Sequence, residues 1–269
     1  MHLDELIIGQ YFPGNSLLHR ADPRLKITAV FIYVAGLFLA GGFAGLLIMA
    51  AGLLLALAQA RVPPRWLYRS VRPVAALLLL TFLFQLFLHG GPVLGRIGPV
   101  PIYRDGAREG GYLALRLLLL VLAGIVLSLT TPPVALSDAF GKMMAPLAKL
   151  KVPAYELALM MTIALRFIPT LLMEADRIIK AQAARGASLA SGGPARRARA
   201  LLPVLIPLFI LSFKDADELA MAMESRCWRG GKGRTSRRRL KLGPVDAMFA
   251  LLAAVVVAGG IAVGRTSGF

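Results

Sequence analysis

Cysteine, histidine and acidic residues are scarce in this chain. Its 269 residues include one cysteine, Cys227, and three histidines, so an internal disulfide is excluded and the histidines offer no metal-ligand spacing. Only 14 acidic residues stand against 31 lysines and arginines. These acidic residues are dispersed among basic ones and not grouped like ligands, so neither a metal site nor a catalytic carboxylate pair is predicted.

Charged residues of either sign are also few. They make up 17% of the chain, whereas hydrophobic residues make up 57%, which is far from the composition of a soluble domain. Several apolar runs approach the roughly 20 residues that a helix needs to cross a bilayer. The composition therefore predicts an integral membrane protein, in which a net charge of +17 fits basic loops at an anionic cytoplasmic leaflet. Asp4 and Glu5 interrupt the first twenty residues, so no cleavable signal peptide is predicted.

The apolar segments predict about five membrane-spanning helices. A single helix over residues 27–60 would extend roughly 50 Å, well beyond a hydrocarbon core of about 30 Å, so two spans joined by a tight turn at Gly41-Gly42 are predicted. The basic, aromatic segment 61–72 is expected to be a loop at the cytoplasmic interface, and the amino terminus is placed on the same side. Three further spans are predicted at residues 73–88, 112–130 and 244–263. The Gly- and Pro-rich segment between the first two of these is expected to be a loop outside the cell.

A different pattern lies between the fourth and the last predicted span. About half of the lysines and arginines fall within residues 177–241, and helical spacing predicts long amphipathic helices at 155–185 and 195–227. Pro203 and Pro207 predict a kink or break in the second of them. The apolar part of that helix, 201–213, is too short for a straight span, so its relation to the membrane is left open.

These patterns predict an all-α integral membrane protein with three parts. Residues 1–132 hold the amino-terminal transmembrane helices, and residues 244–269 hold a carboxyl-terminal one. Residues 133–243 form a cytoplasmic domain of long amphipathic helices. We expect this domain to dock another protein.

Both predicted long helices end in an arginine next to small residues. The two triplets are Ala184-Arg185-Gly186 and Ser225-Arg226-Cys227. A guanidinium at a helix tip can form paired hydrogen bonds with a partner's carboxylate, and small neighbours allow close approach of the two backbones. Alternatively, each arginine only complements the negative end of the helix dipole, which is worth about 0.3 to 1 kcal/mol. The recurrence at consecutive helix ends favours docking.

Three segments of the chain then point to a known family. They read PGNSLLHRADPRLK near the start, ALRFIPTLLMEADRIIKAQAARGA in the middle and AMESRCWRGGKGRT near the end. In this order and spacing they resemble the transmembrane T component of energy-coupling factor (ECF) transporters, which are ABC-type importers of vitamins and transition-metal ions. The first triplet matches one of that family's two Ala-Arg-Gly motifs in full. The second keeps Arg226, whereas Ser225 and Cys227 replace the usual alanine and glycine.

The resemblance implies a non-catalytic subunit of the inner (plasma) membrane that needs no cofactor. Its two coupling helices would insert their motifs into grooves on two cytoplasmic ABC ATPase subunits and pass ATP-driven motion to a separate membrane substrate-binding subunit, the S component. The partners would carry out the ATP chemistry. The segment Gly230-Gly231-Lys232-Gly233 lacks the glycine spacing and the Ser or Thr of a phosphate-binding loop. The substrate is not predicted, because the S component would select it.

Two other functions account for only part of the sequence. The basic loops suit a membrane-embedded enzyme acting on a lipid or isoprenoid phosphate, but that chemistry needs clustered acids or an activated nucleophile near the interface. The Arg-rich run 234–241 suits nucleic acid by charge, but it lacks interleaved aromatic residues for base stacking. Membrane-surface anchoring explains that run better, so no nucleic-acid partner is expected.

Overall fold

A computed structural model describes residues 14, 16–88, 92–97, 100–144, 153–187, 193–228, 230 and 243–266. These residues form helices and one short β-hairpin. In chain order the elements are α1 (Leu17–Arg20), α2 (Pro23–Leu39), α3 (Gly42–Ala60), α4 (Pro64–Leu88), β1 (Val93–Ile97), β2 (Val100–Tyr103), α5 (Arg104–Thr130), α6 (Pro133–Met144), α7 (Ala154–Ala184), α8 (Pro194–Ser225) and α9 (Pro244–Thr266).

The described residues fall into two compact units. The bundle unit contains α1 to α5, the hairpin and α9, and lies within residues 10–132 and 240–269. The three-helix unit contains α6, α7 and α8 within residues 133–239. The bundle unit is discontinuous in sequence because α9 packs against α2 and α3. The placement of residues 133–243 in the cytoplasm stays a prediction.

The predicted division of residues 27–60 into two helices is confirmed. α2 ends at Leu39 and α3 begins at Gly42, whose φ of +69° is a conformation that favours glycine. At the other end of α2 the Asp22 carboxylate accepts a hydrogen bond from the Arg24 N–H at 2.9 Å, and Pro23 takes the first helical position. Asp-Pro is therefore the start of this helix, as its sequence predicts.

Within the described residues, five helices are long and apolar enough to cross a membrane: α3, α4, α5, α7 and α9. The predicted fold class, a helical membrane protein with about five spanning helices, is confirmed, but the set of helices differs. α7 belongs to the set through its apolar first half. α2, at 17 residues, is only about 26 Å long and lies at the lower limit for a span.

Two helices of the bundle unit begin earlier than predicted. α4 begins at Pro64 and α5 at Arg104, so the prediction of a loop over residues 61–72 is wrong for most of that segment. Part of the predicted external loop is an antiparallel hairpin of β1 and β2. Hydropathy detects only the apolar part of a helix, whereas helical hydrogen bonds continue into polar residues at the interface.

The three-helix unit is built around α7, which packs against α6 and α8. α7 and α8 begin and end within one or two residues of the predicted positions. Of the kink or break predicted in α8, the break is wrong, because this helix continues through Pro203 and Pro207; the kink stays a prediction. Each proline removes one backbone hydrogen bond, but the long flanking helical segments keep the remaining ladder intact.

Glycines bring α3 and α9 of the bundle unit into close contact. A Cβ atom added at Gly45 would lie 2.6 Å from the carbonyl oxygen of Gly260. A Cβ atom added at Gly264 would collide with the carbonyl oxygen of Gly41. α9 carries the Gly-xxx-Gly pair Gly260 and Gly264, and Gly41 at the amino-terminal cap of α3 has the same spacing from Gly45. Such pairs let two helix backbones approach closely in a membrane protein.

Buried polar groups join helix ends in the bundle unit. The Asp246 carboxylate accepts hydrogen bonds from the N–H groups of Asp22 at 2.7 Å and Gly243 at 2.8 Å, which links the starts of α2 and α9. The buried Lys26 ammonium donates to the carbonyl oxygen of Thr130, at 3.1 Å, at the end of α5. Because each of these buried charges has hydrogen-bond partners, the ends of α2, α5 and α9 are held together without leaving a buried charge unsatisfied.

Candidate functional site

Both arginine triplets lie at helix carboxyl termini. Ala184 is the last residue of α7 and Ser225 the last of α8. Arg185 and Arg226 follow as cap residues with similar torsions, φ −83° and ψ 7° for the first and φ −92° and ψ 14° for the second. The third residue of each triplet then turns left-handed, with φ +84° at Gly186 and +57° at Cys227.

We call the triplet at the end of α7 the first tip and the triplet at the end of α8 the second tip. The backbone hydrogen bonds at the first tip form a Schellman motif. The Ala187 N–H donates to the Gln182 carbonyl at 3.0 Å, and the Gly186 N–H donates to the Ala183 carbonyl at 3.0 Å. These bonds satisfy carbonyl groups that a helix end otherwise leaves unpaired.

The second tip repeats this pattern position by position. The Trp228 N–H donates to the Met223 carbonyl at 3.1 Å, and the Cys227 N–H donates to the Glu224 carbonyl at 2.8 Å. The Ser225 hydroxyl donates to the Ala222 carbonyl at 3.0 Å and is therefore satisfied within the helix. The two triplets thus have the same local backbone despite the different residues at their first and third positions.

All six residues of the triplets are exposed to solvent. In the part of the chain that the structure describes, neither Arg185 nor Arg226 forms an ion pair or a side-chain hydrogen bond. No hydrogen bond or ion pair between described residues joins one triplet to the other. Each tip therefore presents one guanidinium whose hydrogen-bond donors are available to a partner.

Comparisons with known proteins place the chain in a family. The cobalt transport protein family CbiQ matches residues 14–237. Relatives named "Energy-coupling factor transporter transmembrane protein EcfT" include that of Thermosediminibacter oceani, 45% identical over 260 residues, 97% of this chain and 96% of the relative. The chain belongs to the EcfT family.

Other members agree over most of their length. The EcfT protein of Acidaminococcus fermentans is 46% identical over 250 residues, which cover 93% of each chain. That of Bacillus subtilis is 43% identical over 239 residues, 88% of this chain and 90% of the relative. The resemblance to ECF T components is confirmed. As an EcfT family member, the chain is a non-catalytic, multi-pass transmembrane component of an energy-coupling factor transporter.

Cys227 departs from the preferred residue type at its backbone position. An L-residue in the left-handed region costs roughly 1 to 2 kcal/mol, which glycine avoids. We therefore expect Cys227→Gly to raise the free energy of unfolding by about 1 kcal/mol, measured by denaturant titration of the purified chain. Cys227→Ser is the control, since it removes the thiol but keeps a Cβ. Equal stability of the glycine and serine variants would contradict this account of the tip.

Other sequence-derived sites are only partly covered by the structure. Among the described residues, no group of three or more histidine, cysteine, aspartate or glutamate side chains could hold a metal ion. Of the segment 230–233 the structure describes only Gly230, and the basic run 234–241 lies outside the described residues. The candidate site of this EcfT family member is therefore built from the two tips.

The sequence predicts both arginines at helix ends but not the backbone geometry that they share. It shows that Cys227 replaces the family's usual glycine but gives no reason for the replacement. The available signal was the shared pattern of a small residue, an arginine and another small residue at both predicted helix ends. Only the torsions show that both third residues adopt the same left-handed conformation.

Proposed function

We propose that this chain is the coupling subunit of an ECF importer and that its two tips dock into two cytoplasmic ABC ATPase subunits. The main observation that supports this proposal is that two consecutive long helices end in the same Schellman motif with an exposed arginine at its cap. A helix-dipole role alone needs no common motif and no exposed, unpaired guanidinium. In this proposal Ala184, Gly186, Ser225 and Cys227 allow close approach, and Arg185 and Arg226 bind carboxylates of the ATPases.

The geometry suggests how motion is passed on. In each triplet the residue after the arginine is left-handed and prevents the helix from continuing. No further helical turn therefore covers the arginine. α7 and α8 contain 31 and 32 residues, and are each about 45 to 50 Å long at 1.5 Å per residue. Since α7 packs against α8, ATP-driven displacement of the two tips shifts a joined pair of long helices as a lever.

The surface of α8 supports a second partner, the membrane-embedded S component. Phe209, Ile210 and Phe213 are more than half exposed, at 62%, 64% and 70%, although α8 is not among the candidate spans of the described residues. Large apolar side chains left exposed on a helix of this kind favour contact with another apolar surface. In this proposal the S component covers them and selects the vitamin or transition-metal ion that is imported.

Charge reversal of both arginines tests the docking proposal, because it should remove ATPase binding and transport together. The reversal would leave the apolar surface of α8 unaltered. ATPase subunits that still copurify with the reversed chain, together with unchanged uptake, would exclude the tips as the docking elements.

The proposal also places the tips on the cytoplasmic side of the inner membrane. Cys227 is the only cysteine in the chain and is exposed, so the thiol reports the location of the second tip without any substitution. In cells that express the chain without the ATPase subunits, a membrane-impermeant maleimide should label it in inside-out vesicles and leave it unlabelled in intact spheroplasts. Labelling in intact spheroplasts would reverse the proposed orientation. Cys227→Ser, which has no thiol, is the background control.

A further inference from the structure

A polar cleft lies between α1 and the end of α3 in the bundle unit. Its volume is about 490 Å³, and the residues that line it include Ser16, Leu17, Arg20, Leu55, Gln59 and Arg61. Two of these residues are cationic and two carry neutral polar groups. In the described part of the chain, neither Arg20 nor Arg61 has an ion-pair partner. The cleft therefore has the charge and the donors to hold an anion.

Arg61 occupies this cleft in an unfavourable backbone conformation. It is the cap residue of α3, with φ 52° and ψ 35° in the left-handed region. Glycine is the usual residue at such a position, since other L-residues are strained there. A strained residue that keeps its charge beside a cleft suggests a role for the side chain and not for the backbone turn.

Apolar surface adjoins the cationic cleft. Leu54 and Leu55 of α3 are 61% and 60% exposed, and α3 is a candidate membrane span. Trp66 and Tyr68, just beyond the end of α3, are also exposed, as expected for aromatic side chains at a membrane interface. A ligand in this cleft thus meets cationic groups at one end and exposed leucines along the helix.

We propose that the cleft binds the headgroup of an anionic phospholipid, with Arg20 and Arg61 contacting its phosphate and the acyl chains lying along α3. A soluble phosphate matches the charge but makes no use of the exposed leucines. An acidic protein segment also matches the charge, but the outer face of a membrane-spanning helix is covered by acyl chains. The lipid alone satisfies both parts of the surface.

The test measures lipid binding to the purified full-length chain by native mass spectrometry during titration with phosphatidylglycerol or phosphatidylcholine. Each cationic residue near an anionic lipid contributes a factor of about five in affinity. Arg20→Gln with Arg61→Gln should therefore weaken phosphatidylglycerol binding roughly 30-fold, with little change for phosphatidylcholine. Arg65→Gln with Arg72→Gln is the matched control, since it removes two exposed charges of α4 outside the cleft.

Arg61→Gly tests whether weaker lipid binding results from the lost side chain and not from a less stable fold. It relieves the left-handed strain, so the variant should be at least as stable as the native chain while binding phosphatidylglycerol about fivefold more weakly. An equal loss of affinity in the control pair would show diffuse surface attraction and overturn the proposal. It would also be overturned if inorganic phosphate competed as well as the lipid. In a separate copurification from cells, cleft variants that kept the lipid but lost a protein subunit would overturn it as well.

Discussion

Arg185→Glu combined with Arg226→Glu should abolish transport and ATPase binding. The substitution replaces two attractive contacts with carboxylates by two repulsive ones. Losing one buried, hydrogen-bonded charge pair at an interface costs about 2 to 5 kcal/mol. The loss of the contact at a single tip should therefore weaken ATPase binding at least roughly 30-fold. Copurification of the ATPase subunits and uptake in cells measure the two effects. The S component should still copurify, because the substitutions leave the apolar surface of α8 unchanged.

A matched control distinguishes the tips from the general charge of their helices. Arg177 and Arg199 are exposed residues of the same two helices, away from their carboxyl ends. Reversing both imposes the same change in net charge, and we expect ATPase binding to remain within about threefold of the native value. If this control pair fails as completely as the tip pair, long-range charge and not docking of the tips explains the loss.

Lysine substitution gives a finer measure of the same contacts. Lysine keeps the positive charge but lacks the planar fork with which arginine forms two parallel hydrogen bonds. Arg185→Lys with Arg226→Lys should therefore give a partial loss of ATPase binding. Full binding by this variant would mean that only the charge is recognised, without bidentate geometry.

The second large effect concerns the glycine contact between α3 and α9. Gly45→Ala should lower the free energy of unfolding by about 1 to 3 kcal/mol, because the added Cβ lies 2.6 Å from the Gly260 carbonyl oxygen. Gly45→Val should prevent stable folding, because its branched side chain forces the two helices further apart. Unfolding in mixed micelles by increasing amounts of denaturing detergent measures both variants.

Gly124→Ala is the control for this prediction. Gly124 lies within α5, and a Cβ atom added there has no atom of the described residues within 4 Å apart from its neighbours in the same helix. Since alanine is a better helix former than glycine by about 1 kcal/mol, this variant should be as stable as the native chain or more so. If Gly45→Ala behaved like the control, α3 and α9 would not require close contact.

Much of the helical framework could be predicted because its signals are local. Apolar runs and helical periodicity located α7 and α8, whose ends agree with the predicted ones within two residues. Asp22 and Pro23 marked the start of α2 by their capping chemistry. The starts of α4 and α5 were missed because polar helical turns at an interface carry no hydropathy signal. The β-hairpin was missed because strand pairing depends on two segments together.

Contacts between residues that are distant in sequence could not be predicted from local signals. Asp246 accepts a hydrogen bond from Asp22, 224 positions away, and Gly264 contacts Gly41. No pattern within one segment shows which buried carboxylate will meet which helix start, or which glycines will face one another. These contacts depend on α9 returning to pack against α2 and α3.

Some features of the two tips could be predicted from the sequence, and others are known only from the structure. By itself, the sequence determined a basic membrane protein with two arginines at the ends of consecutive long helices, because composition, periodicity and spacing are written along the chain. Only the tertiary structure decided that Gly186 and Cys227 hold the same left-handed position and that both arginines are exposed caps. The sign of φ at a cysteine follows from the hydrogen bonds that close the helix end, and residue type alone predicts the opposite sign.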